Sequence, residues 1–332
     1  MLARADKWIR SHRRATAALV ALVLFAALNF LAYRHAHAMM HFLKEGERTP
    51  NPEALSFGQK LKVLVLGVQI TKPSSERTPR TVGLPFEVRR FTSRDGTELE
   101  SWYIPRPAPL GMVCIFHGYA SCKANMLGEA AAFHELGYAT LLTDFRGSGG
   151  SSGYVTTVGV READDVAAAV HYAEKQWPGL PVVLYGQSMG SAAILRAIAV
   201  DEVRPKSVII ESVFDRLTST VANRFKTMRL PSFPFAQLLV FWGGVDSDFN
   251  GFRHNPVDYA RRVDCPVLMF HGENDIRVTQ AEAQSVYENL ASSFKTLRVI
   301  PKAGHDRLQA ADPRAWTEAV SGFLKARTLA AK

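Results

Sequence analysis

The stretch Leu180-Pro-Val-Val-Leu-Tyr-Gly-Gln-Ser-Met-Gly-Ser-Ala-Ala-Ile-Leu-Arg-Ala-Ile198 decides the fold. Pro181 to Tyr185 is a short apolar run of the kind that forms a buried strand. Gly186 to Gly190 spells G-x-S-x-G, a tight turn, and Ser191 to Ile198 reads as a helix rich in small residues. In this geometry the serine occupies a sharp, strained bend between strand and helix. Gly186 and Gly190 are small because strand and helix pass very close there. The Met189 N–H and the positive end of the helix dipole both favour negative charge beside Ser188.

Working outward, strands and helices alternate. Phe86 to Ser93 and Glu98 to Ile104 alternate in polarity around the turn Asp95-Gly96, which predicts two paired edge strands. Met112 to Phe116, Tyr138 to Thr143, Ser207 to Ile210, Pro266 to Phe270 and Thr296 to Ile300 read as further strands. Asn125 to Leu136, Arg161 to Gln176 and Asp312 to Lys325 read as helices. Such alternation implies a mostly parallel, doubly wound α/β sheet, with its site at the carboxyl ends of the strands.

A serine nucleophile needs an imidazole to take its proton and a carboxylate to orient the imidazole. His271-Gly-Glu-Asn-Asp275 follows one predicted strand and Ala303-Gly-His-Asp306 another. Asp275 is the predicted acid and His305 the base, and the chain order Ser188, Asp275, His305 suits this arrangement. Glu211, at the end of a strand, is the alternative acid. His271 is expected to support the acid loop through hydrogen bonds, and Asp306 to cap or be solvated. The second oxyanion donor is expected from the loop His117-Gly-Tyr-Ala120: the Tyr119 N–H, paired with the Met189 N–H. His117 is expected to brace that loop.

These residues together resemble the α/β-hydrolase superfamily, and within it the serine-aminopeptidase-like bacterial hydrolases. The resemblance rests on His117-Gly-Tyr119, Asp144-Phe-Arg-Gly-Ser-Gly149, Gly186-Gln-Ser-Met-Gly190, His271-Gly272 with Asp275, and Gly304-His305. It covers about 86 to 324 and implies a serine hydrolase working through an acyl-enzyme. It assigns Asp144 and Arg146 to bracing the loop beside the serine, and it places a small lid at about 213–264. Within that lid Leu230 to Trp242 is markedly apolar: either core packing, an acyl or aromatic pocket, or a membrane-facing patch. Asp246-Ser-Asp248 is expected as an exposed turn.

The N-terminal part lies outside the resemblance. Ala15 to Tyr33 is almost uninterruptedly apolar, about 19 residues, enough to span roughly 30 Å of hydrocarbon as a helix. Arg4, Lys7, Arg10, Arg13 and Arg14 precede it, so the positive-inside rule keeps the N-terminus cytoplasmic and puts the catalytic domain on the opposite, periplasmic or extracellular side. A cleaved signal peptide competes, because Ala36-His37-Ala38 has the small-x-small form, but the run is longer than the usual h-region. The expected organisation is a basic segment 1–14, a transmembrane anchor 15–33, a tether 34–85 and a hydrolase domain 86–332. Within the tether, Phe57 to Ile70 reads as either a strand or an amphipathic segment on lipid.

Composition agrees. Apolar residues at 47% and charged residues at 21% are ordinary for a globular chain. The formal net charge of +9 favours anionic surfaces, yet no basic stripe interleaved with aromatics exists to read nucleic acid. Cys114, Cys122 and Cys265 form neither a C-x-x-C nor a zinc-spaced set. The chemistry requires no metal or cofactor. The expected partners are a small-molecule or lipid-like acyl substrate and the membrane. A peptidase or an acyltransferase would use the same triad, and a non-catalytic scaffold would retain only the fold.

Overall fold

The computed structural model describes residues 13–50, 55–305 and 307–329. Asp306 and the basic residues Arg4, Lys7 and Arg10 lie outside the described residues. The first element is a 28-residue helix, α1 (Arg13–Met40), followed by α2 (Phe57–Leu66). An eight-stranded sheet then runs through β1 (Glu87–Thr92), β2 (Glu98–Ile104), β3 (Met112–Phe116), β4 (Ala139–Thr143), β5 (Val182–Gln187), β6 (Ser207–Glu211), β7 (Val267–Gly272) and β8 (Lys295–Ile300). Its spatial order is β1-β2-β4-β3-β5-β6-β7-β8. Only β1 and β2 run antiparallel to their neighbours; from β4 to β8 every pairing is parallel. The expected pair of edge strands is thus one edge strand, β1, and one interior strand, β2, hydrogen-bonded on to β4.

Alternation along the central strands explains their continuous apolarity. Cys114 and Phe116 point to one face of the sheet, Val113 and Ile115 to the other, and both faces are covered. One face packs on α4 (Glu162–Gln176) and α5 (Met189–Val200) through Val166, Ala169, Ala193 and Ile194. The other packs on α3 (Leu127–Glu135) and the closing helix, here α11 (Pro313–Leu329), around Phe133 and Trp316. Between β6 and β7 the chain makes the lid: α6 (Leu217–Thr227), α7 (Phe235–Asp246) and α8 (Pro256–Ala260). The remaining helices are α9 (Gln280–Asn289) and the short α10 (Leu308–Ala311).

The N-terminal region is more integrated than a tether. Helix α1 continues beyond Tyr33 to Met40 because its last turns have a packing partner. Ala32, Ala36 and Met40, four residues apart, form its buried stripe. They face α7, where a Cβ on Gly243 would lie 3.0 Å from Met40 Sδ. Small residues on both helices permit this close approach. Trp242 Nε1 donates to Asn29 Oδ1 at 3.0 Å, and Tyr33 meets the Trp242 ring edge-on. His37 and His41 both direct Nδ1 at the Asp246 carboxylate, at 3.0 and 3.3 Å. The turn 246–248 is therefore not simply exposed: the Asp246 and Ser247 side chains are covered by the end of α1. Beyond α1, Phe42 N–H donates to Tyr154 O and Thr156 N–H to Met40 O, which stitches the chain onto the loop beside the serine. The segment from Phe57 is a helix capped by a Ser56–Gln59 box, not a strand. His35 Nε2 and Arg34 Nη2 hold its last carbonyls, Leu64 O and Leu66 O.

Among the described residues, the N-terminal part of α1 has no such partner. It is the one helix among the described residues long and apolar enough to cross a membrane, with a window of mean hydropathy 2.3 that the rest of the protein leaves uncovered.

Candidate active site

Ser188 sits between β5 and α5 with φ 51° and ψ −110°, in the positive-φ region that a non-glycine residue enters at a cost of about 1–3 kcal/mol. Its surroundings hold it there. The Ser188 N–H donates to Glu211 O at 2.8 Å. The Ser191 hydroxyl donates to Gly186 O at 2.7 Å and accepts the Glu211 N–H at 3.1 Å, tying the first turn of α5 to two strands. Both glycines of the motif are required by contact. A Cβ on Gly190 would lie 2.5 Å from Phe116 O and 2.8 Å from His117 O, and one on Gly186 would lie 2.7 Å from the Gly190 carbonyl carbon.

Ser188, His305 and Asp275 are brought together from loops after three different strands. The Ser188 hydroxyl lies 3.0 Å from His305 Nε2, and His305 Nδ1 lies 2.7 Å from Asp275 Oδ2. The other carboxylate oxygen, Oδ1, accepts the Arg277 and Val278 N–H groups, each at 2.9 Å. Burial raises the Asp275 pKa, but the hydrogen bond and attraction from His305, with these backbone donors, outweigh it. The carboxyl ends below its usual range and is ionised at neutral pH. In the tautomer that donates Nδ1–H to Asp275, Nε2 is free to accept the serine proton.

Glu211 is directed elsewhere. Its Oε1 accepts the Trp316 Nε1–H at 2.5 Å on the opposite side of the sheet. Burial, with the nearby Glu129, pushes it up to about 8, so it is neutral at pH 7. It is not within hydrogen-bond distance of His305. His271 departs from expectation: it is fully buried, and neither ring nitrogen has a hydrogen-bond partner among the described residues. Burial lowers its pKa, so it is a neutral packing residue beside the acid loop.

The loop 117–120 passes directly over the serine. A Cβ on Gly118 would be 3.6 Å from Ser188 Cβ. Met189 opens α5, so its N–H lacks an i−4 acceptor. Both Tyr119 and Met189 border the same cavity as Ser188. The buried His117 braces the loop: Nδ1 is 2.8 Å from Gly118 O, and Nε2 accepts the Phe145 N–H at 3.1 Å. Asp144 takes Lys123 N–H and Gly150 N–H and is ion-paired with the Lys123 ammonium. Arg146 forks onto Asp165 and Asp95. Lys123 escaped the sequence reading. It is buried and sits 4.6 Å over the Trp102 ring, a role that nothing in local sequence signals.

A cavity of about 340 Å³ opens from Ser188 and His305. Lid residues Phe225, Phe235 and Leu239 line it, as do Leu28, Leu31, Ala32 and Met39 of α1. The apolar run of the lid is thus shared between pocket and packing. The contribution of α1 is invisible in sequence, because helix–lid contact joins residues about 200 positions apart.

Strand order, the strained serine bend and the post-strand loops define an α/β-hydrolase. Comparison with known proteins agrees. Residues 107–240 match the family described as serine aminopeptidase, S33. The chain is 28% identical to YfhR of Escherichia coli over 224 residues, 65% of this chain and 72% of that protein. It is 27% identical to dipeptidyl aminopeptidase BIII of Pseudoxanthomonas mexicana over 76% of this chain, though only 40% of that protein. Among solved structures, an esterase of Pyrococcus furiosus, Pf2001, superposes with TM-score 0.66 at 26% identity, over 77% of this chain and 97% of the esterase. The chain has the α/β-hydrolase fold and is a member of the α/β-hydrolase superfamily.

Proposed function

We propose that this protein is a membrane-anchored serine hydrolase that cleaves an ester or related acyl bond through Ser188, His305 and Asp275. The observation that carries the reading is the Ser188–His305–Asp275 hydrogen-bonded chain at the floor of a largely apolar cavity. Ser188 Oγ attacks the acyl carbonyl while His305 Nε2 takes its proton. Asp275 holds the tautomer and stabilises the imidazolium. The Tyr119 and Met189 N–H groups receive the oxyanion, each such donor being worth about 3–4 kcal/mol in the transition state. His305 then protonates the leaving group, and water, activated by the same imidazole, releases the acid.

The cavity's charge favours an ester over an aminopeptidase substrate. Binding a free α-ammonium calls for a carboxylate, and among the described residues no carboxylate lines the cavity. Helix α1 serves as an uncleaved single-pass anchor. Ala36-His37-Ala38 lies inside the helix, with Ala36 buried against the lid. The folded domain packs on the C-terminal half of α1, and the basic residues precede it, so the domain belongs on the side of the membrane opposite the N-terminus.

The test is single-turnover acylation of the full chain in detergent with p-nitrophenyl esters of graded chain length, with fluorophosphonate labelling in parallel. A burst and a label, both absent from Ser188→Ala, are expected. An inert Ser188 in folded protein would point instead to a binding scaffold, and turnover of amides alone to a peptidase.

A further inference from the structure

Helix α1 does two things at once: it is the candidate membrane span and it is a wall of the substrate cavity. The catalytic end of the cavity is pinned to it, since the Tyr119 hydroxyl donates to Met39 O at 2.5 Å. Leu28, which lines the cavity's other end of the helix, is 11 residues earlier, about 16 Å along the axis. The apolar run ends at Tyr33, so Leu28 lies roughly 8 Å below that limit and Met39 roughly 9 Å above it. The cavity therefore runs from the level of a leaflet's acyl chains to the level of its headgroups. The surfaces flanking it are equally suited to lipid. Leu61, Val65 and Leu66 of α2, and Phe233, Phe241 and Val245 of the lid, are exposed large apolar side chains on the two elements that adjoin α1.

The second observation is charge. Arg48 and Lys60 come from the segment after α1, Arg224 from α6 and Arg277 from the acid loop, and all four line the cavity. Arg224 lies 5.7 Å over the Tyr119 ring. Arg48 and Lys60 bring positive charge to the polar end of the cavity. A volume of about 340 Å³ is at the low end of the roughly 300–1,000 Å³ of small-molecule sites, room for one acyl chain rather than two.

Resting on the hydrolase reading above, we propose that the substrate is a single-chain anionic lipid taken laterally from the bilayer. Its acyl chain lies along Leu28 and Leu31, its ester carbonyl is at Ser188, and its phosphate or carboxylate headgroup faces Arg48 and Lys60. The reaction balances as hydrolysis. The Ser188 Oγ–acyl bond forms as the ester C–O bond breaks, and the departing anionic alcohol carries away the proton held by His305. Water then supplies hydroxyl to the acyl carbon, and its proton returns through His305 to Ser188. The products are a fatty acid and a water-soluble anionic alcohol.

The experiment uses the full chain in bilayer discs of neutral ether lipid. Palmitoyl esters with three heads are compared: glycerol phosphate, phosphocholine and plain glycerol. The expected kcat/KM for the glycerol phosphate ester is at least about tenfold above the other two, with the gap shrinking at high salt. In the double variant Arg48→Gln, Lys60→Gln the anionic-to-neutral ratio falls towards one. Leu31→Trp, or Leu28→Trp should the first fold poorly, lowers the palmitoyl-to-acetyl ratio about tenfold. A flat or reversed headgroup ranking overturns the proposal. So does faster turnover of palmitoyl-coenzyme A offered from water, which would replace the leaflet as the source. Fluorophosphonate labelling separates the two levels: a labelled Ser188 with flat headgroup ranking sinks only the substrate assignment, whereas an unlabelled Ser188 in folded protein sinks the hydrolase reading and this one with it.

Discussion

Replacing Asp275 with Asn tests the acid directly, because the structure supplies its own control in Glu211. Asp275 Oδ2 is 2.7 Å from His305 Nδ1, while Oδ1 is held by two backbone N–H groups. An Asn here keeps the shape. Its carbonyl oxygen is retained by those backbone donors, so its NH₂ faces Nδ1. His305 must then carry its proton on Nε2, where it meets Ser188 and can no longer accept. The expected loss in kcat is about 10³–10⁴-fold, or roughly 4–5.5 kcal/mol of transition-state stabilisation, the size seen when a triad carboxylate elsewhere is amidated. Glu211 is neutral at pH 7 and bonded to Trp316, so Glu211→Gln is nearly isosteric and isoelectronic. It should change kcat by less than about threefold. Both variants are assayed with the same p-nitrophenyl ester, with circular dichroism to verify folding. A mild Asp275→Asn beside a crippled Glu211→Gln would falsify the assignment.

Ser188→Ala should abolish turnover and fluorophosphonate labelling while the melting temperature stays close to wild type, since only one hydroxyl contact is lost; retained activity refutes the nucleophile. Gly190→Ala drives a Cβ against two backbone carbonyls of β3 and its loop, so it should destabilise by about 2–3 kcal/mol or more in urea unfolding, and a neutral effect would contradict the strand–helix contact. Glu129 and Glu211 are buried with pKa values raised by burial to about 7 and about 8, above the usual 4.5. Their contribution is full below about pH 4.5 and is lost as pH rises through 7 to 8. Stability should therefore fall over that range more steeply in wild type than in Glu129→Gln, Glu211→Gln, by on the order of 1–2 kcal/mol per pH unit, and parallel curves would exclude it.

The sequence by itself determined most of the sheet and the candidate site residues. The β5–turn–α5 stretch is legible because its requirements are local: an apolar strand, two glycines where a Cβ would strike backbone, and a serine at a strained bend. Asp275 and His305 were also legible, since each follows a strand and post-strand loops converge at one edge of a parallel sheet. Other features depend on what packs where, and only the tertiary structure decided them. Glu211 ends β6 and Asp275 lies in the loop after β7, yet the one faces Trp316 across the sheet and the other His305. His271 lies in β7 just before the loop that carries Asp275, yet it is buried without a hydrogen-bond partner among the described residues. The run after Ala15 is legible as long and apolar enough to cross a membrane, but the continuation of its helix to Met40 is not. That extension exists because Ala32, Ala36 and Met40 meet a lid helix with a glycine at the point of contact. A side chain's local spacing sets the face it presents; its partner is set by chain segments some 200 residues away, and no window along the sequence contains both.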